Sequence, residues 1–252
     1  MSETVLDAIG NTLIAELRRV VPPNCARIVA KLEWGNPTGS MKDRMARAVI
    51  EAAERDGRLP PGGTVLEYTA GTTGVSLALV CAAKGYGLHI VFSDAFSDEK
   101  RRTMQAFGAT VEDVRSDNGR ITESLIKAMI ARANELSTTP NYWWCDQLNN
   151  RDAVTGYLAM GEEIWNQTSG RVDAFVHAVS TAHSIHGVAR GLRKHKPTLH
   201  VVLWSQRNRL CCPASRAAPT RLRALASALS RPCGSPMKSM RSSPLRPRMP
   251  RP

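Results

Sequence analysis

The stretch Asn36-Pro-Thr-Gly-Ser-Met-Lys-Asp-Arg44 interrupts an extended run and begins a helix. Pro37 and Gly39 favour a turn, and Ser40 is a good N-cap residue. Residues 41–55 carry apolar side chains at a helical spacing, at Met45, Val49, Ile50 and Ala53. We therefore expect Lys42 in the first turn of an amphipathic helix.

The predicted position of Lys42 has a chemical consequence. The helix macrodipole disfavours a cation in the first turn, and this lowers the pKa of a lysine amine there. A neutral amine is the form that attacks a carbonyl carbon, so Lys42 is a candidate nucleophile. The same local sequence is compatible with a solvated surface lysine, and the local pattern alone does not separate the two interpretations.

On both sides of this helix, segments typical of strands alternate with segments typical of helices. Apolar runs predict strands at 26–32, 64–68, 88–92, 110–114, 172–179 and 199–204. Helical spacing predicts helices at 41–55, 71–83, 97–107, 121–136, 151–167 and 184–194. Such alternation indicates βαβ units, in which helices cover both faces of parallel sheets. The predicted fold class is therefore α/β, and Trp143 and Trp144 are expected in the core rather than as a stacking platform.

Several motifs occur in the order that one enzyme family has them. They are the stretch 36–44, Ala8-Ile-Gly-Asn-Thr12, Lys31-Leu-Glu33 and Glu67-Tyr-Thr-Ala-Gly-Thr-Thr-Gly74. On these residues the chain resembles the cysteine synthase and cystathionine β-synthase family, and the resemblance fades after Gln206. These are pyridoxal-phosphate-dependent enzymes of fold type II, related to the tryptophan synthase β subunit.

The resemblance implies two three-layer, parallel-sheet domains. Residues 37–141 would form the smaller domain, and residues 1–36 with 142–206 a larger, incomplete, cofactor-binding domain. Lys42 would hold pyridoxal 5'-phosphate as a Schiff base, and no metal is implied. Members of the family form homodimers through the larger domain, so its incompleteness leaves dimerisation of this chain open.

The segment 68–74 lies between a predicted strand and a predicted helix. Ligands bind at this end of parallel strands, and free N–H groups at a helix start favour anions, although a plain helix cap has the same local pattern. The resemblance assigns binding of the substrate carboxylate to five residues: Thr69, Ala70, Gly71, Thr73 and Gln147. Thr72 stands where the family has an asparagine that contacts the phenolic oxygen of the cofactor. Because Thr72 replaces this asparagine, the substrate preference is expected to differ from that of ordinary cysteine synthases.

The segment Ser180-Thr-Ala-His-Ser184 follows another predicted strand and also precedes a helix. Its hydroxyls and the N–H groups of the helix start are compatible with a phosphate cradle and with an ordinary capped helix. The resemblance assigns the cofactor phosphate to Ser180, Thr181, Ala182, His183 and Ser184, where the family has Gly-Thr-Gly-Gly-Thr. His183 replaces a glycine, and we hypothesise that its imidazole donates to the phosphate. His183 and His186 alone are too few ligands for a metal.

The positive charge is concentrated at one end of the chain. Residues 207–252 hold ten Arg, one Lys and no acid, which accounts for +11 of the formal charge of +12 and leaves +1 for residues 1–206. This distribution argues against a nucleic-acid-binding body. Cys25, Cys81 and Cys145 lack metal or disulfide spacing, so we expect buried free thiols. With no signal peptide and no membrane-spanning run, we expect a cytoplasmic protein.

The basic tail 207–252 departs from the pattern of the rest. Its Arg, Pro, Ser and Ala residues are typical of disorder, and three interpretations compete: a disordered arm, an unusual domain or translation in a shifted frame. A shifted reading, with one base of every codon chosen freely, yields a peptide that resembles the family's glycine-rich stretch. We hypothesise a frameshift near Gln206.

The resemblance implies a reaction as well as a fold. Lys42 would remove the α-proton of an amino-acid substrate, the β-substituent would leave, and sulfide or a thiol would add. O-acetylserine or O-phosphoserine with sulfide, giving L-cysteine, is the commonest pair in the family. Alternatives are another β-elimination or replacement enzyme, such as a cystathionine β-synthase or a serine/threonine dehydratase, and an inactive remnant or binding pseudoenzyme.

Overall fold

The computed structural model describes residues 4–204 except Pro23, so the predictions for the tail 207–252 lie outside the described residues. The chain begins with a 3-10 turn, Val5–Ala8, followed by two short antiparallel strands, β1 (Ile14–Glu16) and β2 (Val29–Lys31). The predicted strand 26–32 contains β2. The sequence did not indicate β1, because three residues are too few to display an alternating pattern.

Helix α1 (Lys42–Arg55) agrees with the prediction except at its first residue. Met41 occupies the N-cap position, and no side chain caps the helix there. The predicted cap residue, Ser40, lies one position earlier, and its hydroxyl accepts the Lys42 backbone N–H at 3.1 Å. The prediction of Ser40 as N-cap is therefore wrong by one position, although its hydroxyl still satisfies an N–H of the first turn.

A four-stranded parallel sheet follows, with the order β5-β4-β3-β6. Its strands are β3 (Thr64–Tyr68), β4 (Gly87–Phe92), β5 (Thr110–Asp113) and β6 (Tyr142–Trp144). The aromatic run forms the edge strand β6, paired in parallel with β3, and Trp143 is buried in the main apolar cluster as expected, whereas Trp144 is half-buried against the second cluster. The domain division remains a proposal, and this pairing connects 142–144 to the sheet of residues 37–141.

Helices cover both faces of this sheet, which makes three layers. They are α2 (Thr72–Lys84), α3 (Asp98–Ala106) and α4 (Glu123–Leu136). Val65 and Ile90 of the sheet share one apolar cluster with Leu77 of α2. Leu66 of the sheet belongs to a second cluster with Met129 of α4. This two-sided burial explains why the strands read as continuous apolar runs.

The remaining elements form a second αβ unit. A 3-10 segment, Arg151–Tyr157, leads into α5 (Leu158–Gln167), and β7 (Ala174–Ala178) pairs in parallel with β8 (His200–Trp204) across α6 (His183–Arg193). The prediction of one helix over 151–167 is wrong in its first half. Gly161 permits the close crossing of α5 and α6, since a Cβ there would lie 2.7 Å from the carbonyl oxygen of Val188.

The cysteines agree with the prediction at two of three positions. Cys81 and Cys145 are buried free thiols. Cys25 is half-buried and disulfide-bonded, so the prediction of a free thiol is wrong for Cys25. No helix among residues 4–204 is long and apolar enough to cross a membrane.

Candidate active site

The side chain of Lys42 lies between α1 and the turn before α6. Its Nζ is 3.4 Å from the Thr181 hydroxyl and 4.0 Å from the Met45 sulfur. Burial lowers the pKa of the Lys42 amine, and Glu67 and Cys145 would act in the opposite direction in their ionised forms. The expected direction of the shift is therefore correct, but removal of the amine from water is its main cause.

The turn that precedes α1 is held by Asp43. The Asp43 carboxylate accepts the Thr38 backbone N–H at 2.8 Å and also the Thr38 hydroxyl. Asp43 is fully buried, although acids are rarely buried without partners. These hydrogen bonds fix the start of the helix and so the position of Lys42.

A buried ion-pair network supports the same helix from the other side. Arg44 pairs with Glu33 at 2.8 Å and with Glu163 at 2.7 Å, and its side chain is 3% exposed. Lys31 also pairs with Glu163, at 2.6 Å. Burial raises the pKa of Glu163, but hydrogen bonds from Arg44 and Lys31 outweigh it and lower that pKa to about 2. The network joins α1 to β2 and α5.

The segment predicted to bind the substrate carboxylate forms the loop between β3 and α2. Gly71 has a φ of +132°, a conformation that favours glycine, and its N–H donates to the Thr69 hydroxyl at 3.1 Å. The Thr73 hydroxyl donates to the Gln147 side-chain oxygen at 2.6 Å. Thr69, Thr73 and Gln147 are buried, whereas Ala70 is exposed. The fold therefore brings Gln147 to this loop, as the carboxylate assignment requires.

Thr72 has a neighbour that the sequence did not indicate. The Lys100 amine donates to the Thr72 hydroxyl at 3.1 Å. The Lys100 side chain also covers Gly71, because a Cβ built on Gly71 would lie 2.3 Å from Lys100 Cδ. Lys100 places a cation beside the predicted carboxylate loop. Lys100 lies near the start of α3, outside every motif of the sequence, so its contact with the loop could not be predicted.

The segment 180–184 forms the turn from β7 into α6. Ala182 has a φ of +68°, the left-handed conformation that glycine adopts most easily. Ser184 is buried, and its hydroxyl lies 2.7 Å from His177 Nε2. Ser180 is exposed and Thr181 is half-buried. Hydroxyls thus surround the N-terminus of an eleven-residue helix.

The His183 side chain is turned toward this hydroxyl set and Lys42. His183 is 9% exposed, and its Nδ1 lies 3.2 Å from the Thr181 hydroxyl. Burial lowers the pKa of His183, and the proximity of Lys42 and His186 lowers it further. Both effects favour the neutral imidazole, and the Thr181 hydroxyl lies within hydrogen-bond distance of it.

A buried acid lies near enough to the lysine to influence its pKa. Glu67 of β3 is 0% exposed, and its carboxyl accepts the Tyr68 N–H at 3.0 Å and the Gln147 N–H at 2.9 Å. Burial raises the pKa of Glu67 to about 8. Burial also raises the pKa of the neighbouring Cys145 thiol. The signal for Glu67 was an acid within the apolar run 64–68, to which sequence reasoning assigned no role.

The donor set fits a phosphorylated aldehyde. An amine with a lowered pKa faces a turn whose hydroxyl groups and helix N-terminus suit an anion, and no acid lies in residues 180–184. Among the described residues, no group of His, Cys, Asp and Glu could hold a metal ion. The arrangement can therefore bind a phosphate at one end and a carbonyl carbon at the other.

Comparison with known proteins agrees with this chemistry. A sequence model described as "Pyridoxal-phosphate dependent enzyme" matches residues 5–243. The chain belongs to this family. The predicted family, the α/β fold of type II and the cofactor of that family are thereby confirmed.

Individual members of the family are similar over most of this chain. The chain is 37% identical over 202 residues to a cysteine synthase of Staphylococcus aureus, which is 79% of this chain and 63% of that protein. It is 38% identical over 201 residues to cysteine synthase B of Salmonella typhimurium, covering 79% and 64%. The chain thus spans less than two thirds of the length of these relatives.

Solved structures of the family share the fold. An O-acetyl serine sulfhydrylase isoform 3 from Entamoeba histolytica superposes with a TM-score of 0.73 at 35% identity, covering 81% of this chain and 61% of that one. An O-ureido-L-serine synthase superposes with a TM-score of 0.77 at 31% identity, covering 89% and 70%. Both are pyridoxal-phosphate family neighbours whose names state different serine derivatives.

Proposed function

We propose that this chain carries the active-site chemistry of a β-replacement enzyme. The reaction would join an activated serine, O-acetylserine or O-phosphoserine, with sulfide to give L-cysteine and acetate or phosphate. The observation that carries the proposal is the half-buried Lys42 amine, 3.4 Å from a hydroxyl of the β7–α6 turn. The similarity to cysteine synthases supports the choice of reaction.

Each end of the cofactor has residues that would hold it. Lys42 would bind the aldehyde carbon, the Thr72 hydroxyl would face the ring oxygen, and the phosphate would lie against the turn residues Ser180, Thr181, Ala182, His183 and Ser184. Pyridoxal phosphate, when bound, accepts the electron pair left on the substrate's Cα. The protein's task is then to place the groups that move protons and hold the substrate.

The substrate would lie between the carboxylate loop and Lys42. The residues that hold its carboxylate are Thr69, Ala70, Gly71, Thr73 and Gln147. Lys42 Nζ takes the proton from Cα and keeps it while the bond from Cβ to the leaving group breaks. Because that amine is partly removed from water and has a lowered pKa, it can accept this proton near neutral pH.

The test is the visible absorption of the purified chain mixed with pyridoxal phosphate, beside Lys42→Ala. We expect the absorption band of lysine-bound cofactor in the wild-type chain and its loss in Lys42→Ala. Adding O-acetylserine should then change the spectrum, and sulfide should restore it with release of cysteine. A folded wild-type sample without the band would overturn the assignment of Lys42 and favour a non-catalytic remnant.

A second β-replacement or elimination reaction is the alternative candidate. It is favoured by Thr72, which differs from the family's asparagine and hydrogen-bonds Lys100. Product analysis with and without sulfide separates the two. Pyruvate formed equally well in both conditions would indicate elimination, whereas cysteine formed only with sulfide supports replacement.

A further inference from the structure

Three side chains connect α1 to α6 without interruption. Lys42 Nζ lies 3.4 Å from Thr181 Oγ1, and the same hydroxyl oxygen lies 3.2 Å from His183 Nδ1. His183 is buried, so water does not readily replace Thr181 as the partner of its Nδ1. The imidazole of His183 therefore meets the lysine amine through one hydroxyl group.

The chemistry of these groups allows one continuous order of hydrogen bonds. A lysine ammonium can only donate, so Thr181 accepts from Lys42, and its own hydroxyl proton is free to be donated to His183 Nδ1. This order requires a neutral His183 with its own proton on Nε2, which agrees with its low exposure and with the neighbouring cation.

We propose that His183 is the proton acceptor of Lys42, acting through the Thr181 hydroxyl. A proton passes from Lys42 Nζ to Thr181 Oγ1 while the proton of Thr181 passes to His183 Nδ1. Lys42 becomes a neutral amine, His183 becomes an imidazolium, and Thr181 remains a hydroxyl. The inference rests on the proposed function, because it concerns how the amine of Lys42 becomes able to bind a carbonyl carbon.

The titratable groups around this path come from several elements. Lys42 on α1 and the exposed His186 on α6 face His183 and disfavour its charged form. Glu67 of β3 and Cys145 after β6 face Lys42. His177 of β7 lies within hydrogen-bond distance of the Ser184 hydroxyl. Burial lowers the pKa of His177, and the charge of Glu33 acts in the opposite direction. His183 accepts a proton only when it is neutral. Proton transfer from Lys42 should therefore become faster as pH rises through the lowered pKa of His183.

The experiment measures how fast Lys42 of the full-length chain reacts with pyridoxal and with pyridoxal phosphate between pH 5 and pH 9. The reaction is followed by absorbance, and the attached lysine is identified by borohydride trapping and peptide mapping. The variants are His183→Gln, Thr181→Val and Thr181→Ser. His186→Gln is the matched control, because it makes the same change three residues away on the exposed face of α6.

We expect His183→Gln and Thr181→Val each to slow the reaction about tenfold or more with both aldehydes, and to move the low-pH limb of the rate profile to higher pH, where Lys42 loses its proton to water instead. Thr181→Ser keeps the hydroxyl and should retain most of the rate, and His186→Gln should retain the profile. The double variant His183→Gln/Thr181→Val should be no slower than either single variant, because both changes interrupt one path.

Other results would overturn the inference in distinguishable ways. An effect of His183→Gln with pyridoxal phosphate but not with pyridoxal would mean that His183 serves the phosphate alone. Unchanged rates in a folded Thr181→Val would mean that the hydroxyl carries no proton. Absence of any adduct on Lys42 in the wild-type chain would overturn the proposed function together with this inference.

Discussion

At the scale of single residues, Glu67 is the least expected feature of the site. Its carboxyl is fully buried in β3, and both oxygens accept backbone N–H groups, one of them from Gln147. The Gln147 side chain in turn accepts from Thr73. Glu67 therefore positions the residue that links two loops of the proposed substrate site.

Glu67 should make stability depend on pH. Because its pKa is raised to about 8 in the folded state, the folded chain holds a proton that the unfolded chain releases above its ordinary pKa near 4.5. Stability should therefore fall as pH rises from about 4.5 to 8. We expect Glu67→Gln to be nearly neutral at pH 5 and stabilising at pH 8, by about 1 to 3 kcal/mol.

Urea unfolding of wild type and Glu67→Gln at pH 5 and pH 8 measures this difference. Glu99→Gln, at an exposed position of α3, is the control for loss of one carboxylate. The same stability difference between Glu67→Gln and wild type at both pH values would contradict a protonated Glu67 in the folded chain.

At the scale of elements, the placement of α1 decides the site. Its first residue is the candidate lysine, and its next two residues anchor it, Asp43 to the preceding turn and Arg44 to the acids of two other segments. The hydrogen-bonded turn and the ion pairs hold the helix on both sides. Loss of either set of contacts should therefore displace the Lys42 side chain.

Arg44→Met should be strongly destabilising. The change leaves Glu33 and Glu163 without their main cation in a buried position, which usually costs about 3 to 5 kcal/mol. Arg102→Ala should cost less than about 1 kcal/mol, because Arg102 is 79% exposed and pairs with Asp98 at the surface. The urea midpoints of the two variants measure the difference, and equal midpoints would contradict the structural role of Arg44.

At the scale of the whole molecule, one sheet face is not covered by any of the described residues, 4–22 and 24–204. In the β7–β8 pair, Phe175 and Val201 pack against the main core, and the opposite face carries Val176 at 55% and Trp204 at 47% exposure. Apolar side chains on a two-stranded parallel sheet favour association with another surface. A second copy of the chain is the partner available in a purified sample.

We expect the purified chain to self-associate as its concentration rises, and Val176→Lys to reduce this. Val5→Lys is the control, because Val5 is 46% exposed and belongs to the 3-10 turn Val5–Ala8 rather than to the sheet. Sedimentation velocity over a concentration series measures the effect. An equal response of both variants, or none, would contradict a role for this sheet face.

Much of the fold followed from local pattern. The runs 64–68 and 88–92 were predicted as strands and are β3 and β4 within one residue, because strands buried on both faces are continuously apolar. The short strands β1 and β6 and the 3-10 start of the segment 151–167 were missed. The three residues of each strand are too few to distinguish one periodicity from another, and the 3-10 segment continues directly into α5.

The sequence by itself determined the longer strands and helices and their order, the family, the cofactor of that family and Lys42 as the candidate lysine. Those depend on neighbouring residues and on short motifs. Only the tertiary structure decided that Lys42 meets Thr181, 139 residues away, and that Thr73 meets Gln147, 74 residues away. It also decided the pKa shifts of Lys42, Glu67 and His183, because burial is the main cause of each and depends on segments distant in the chain.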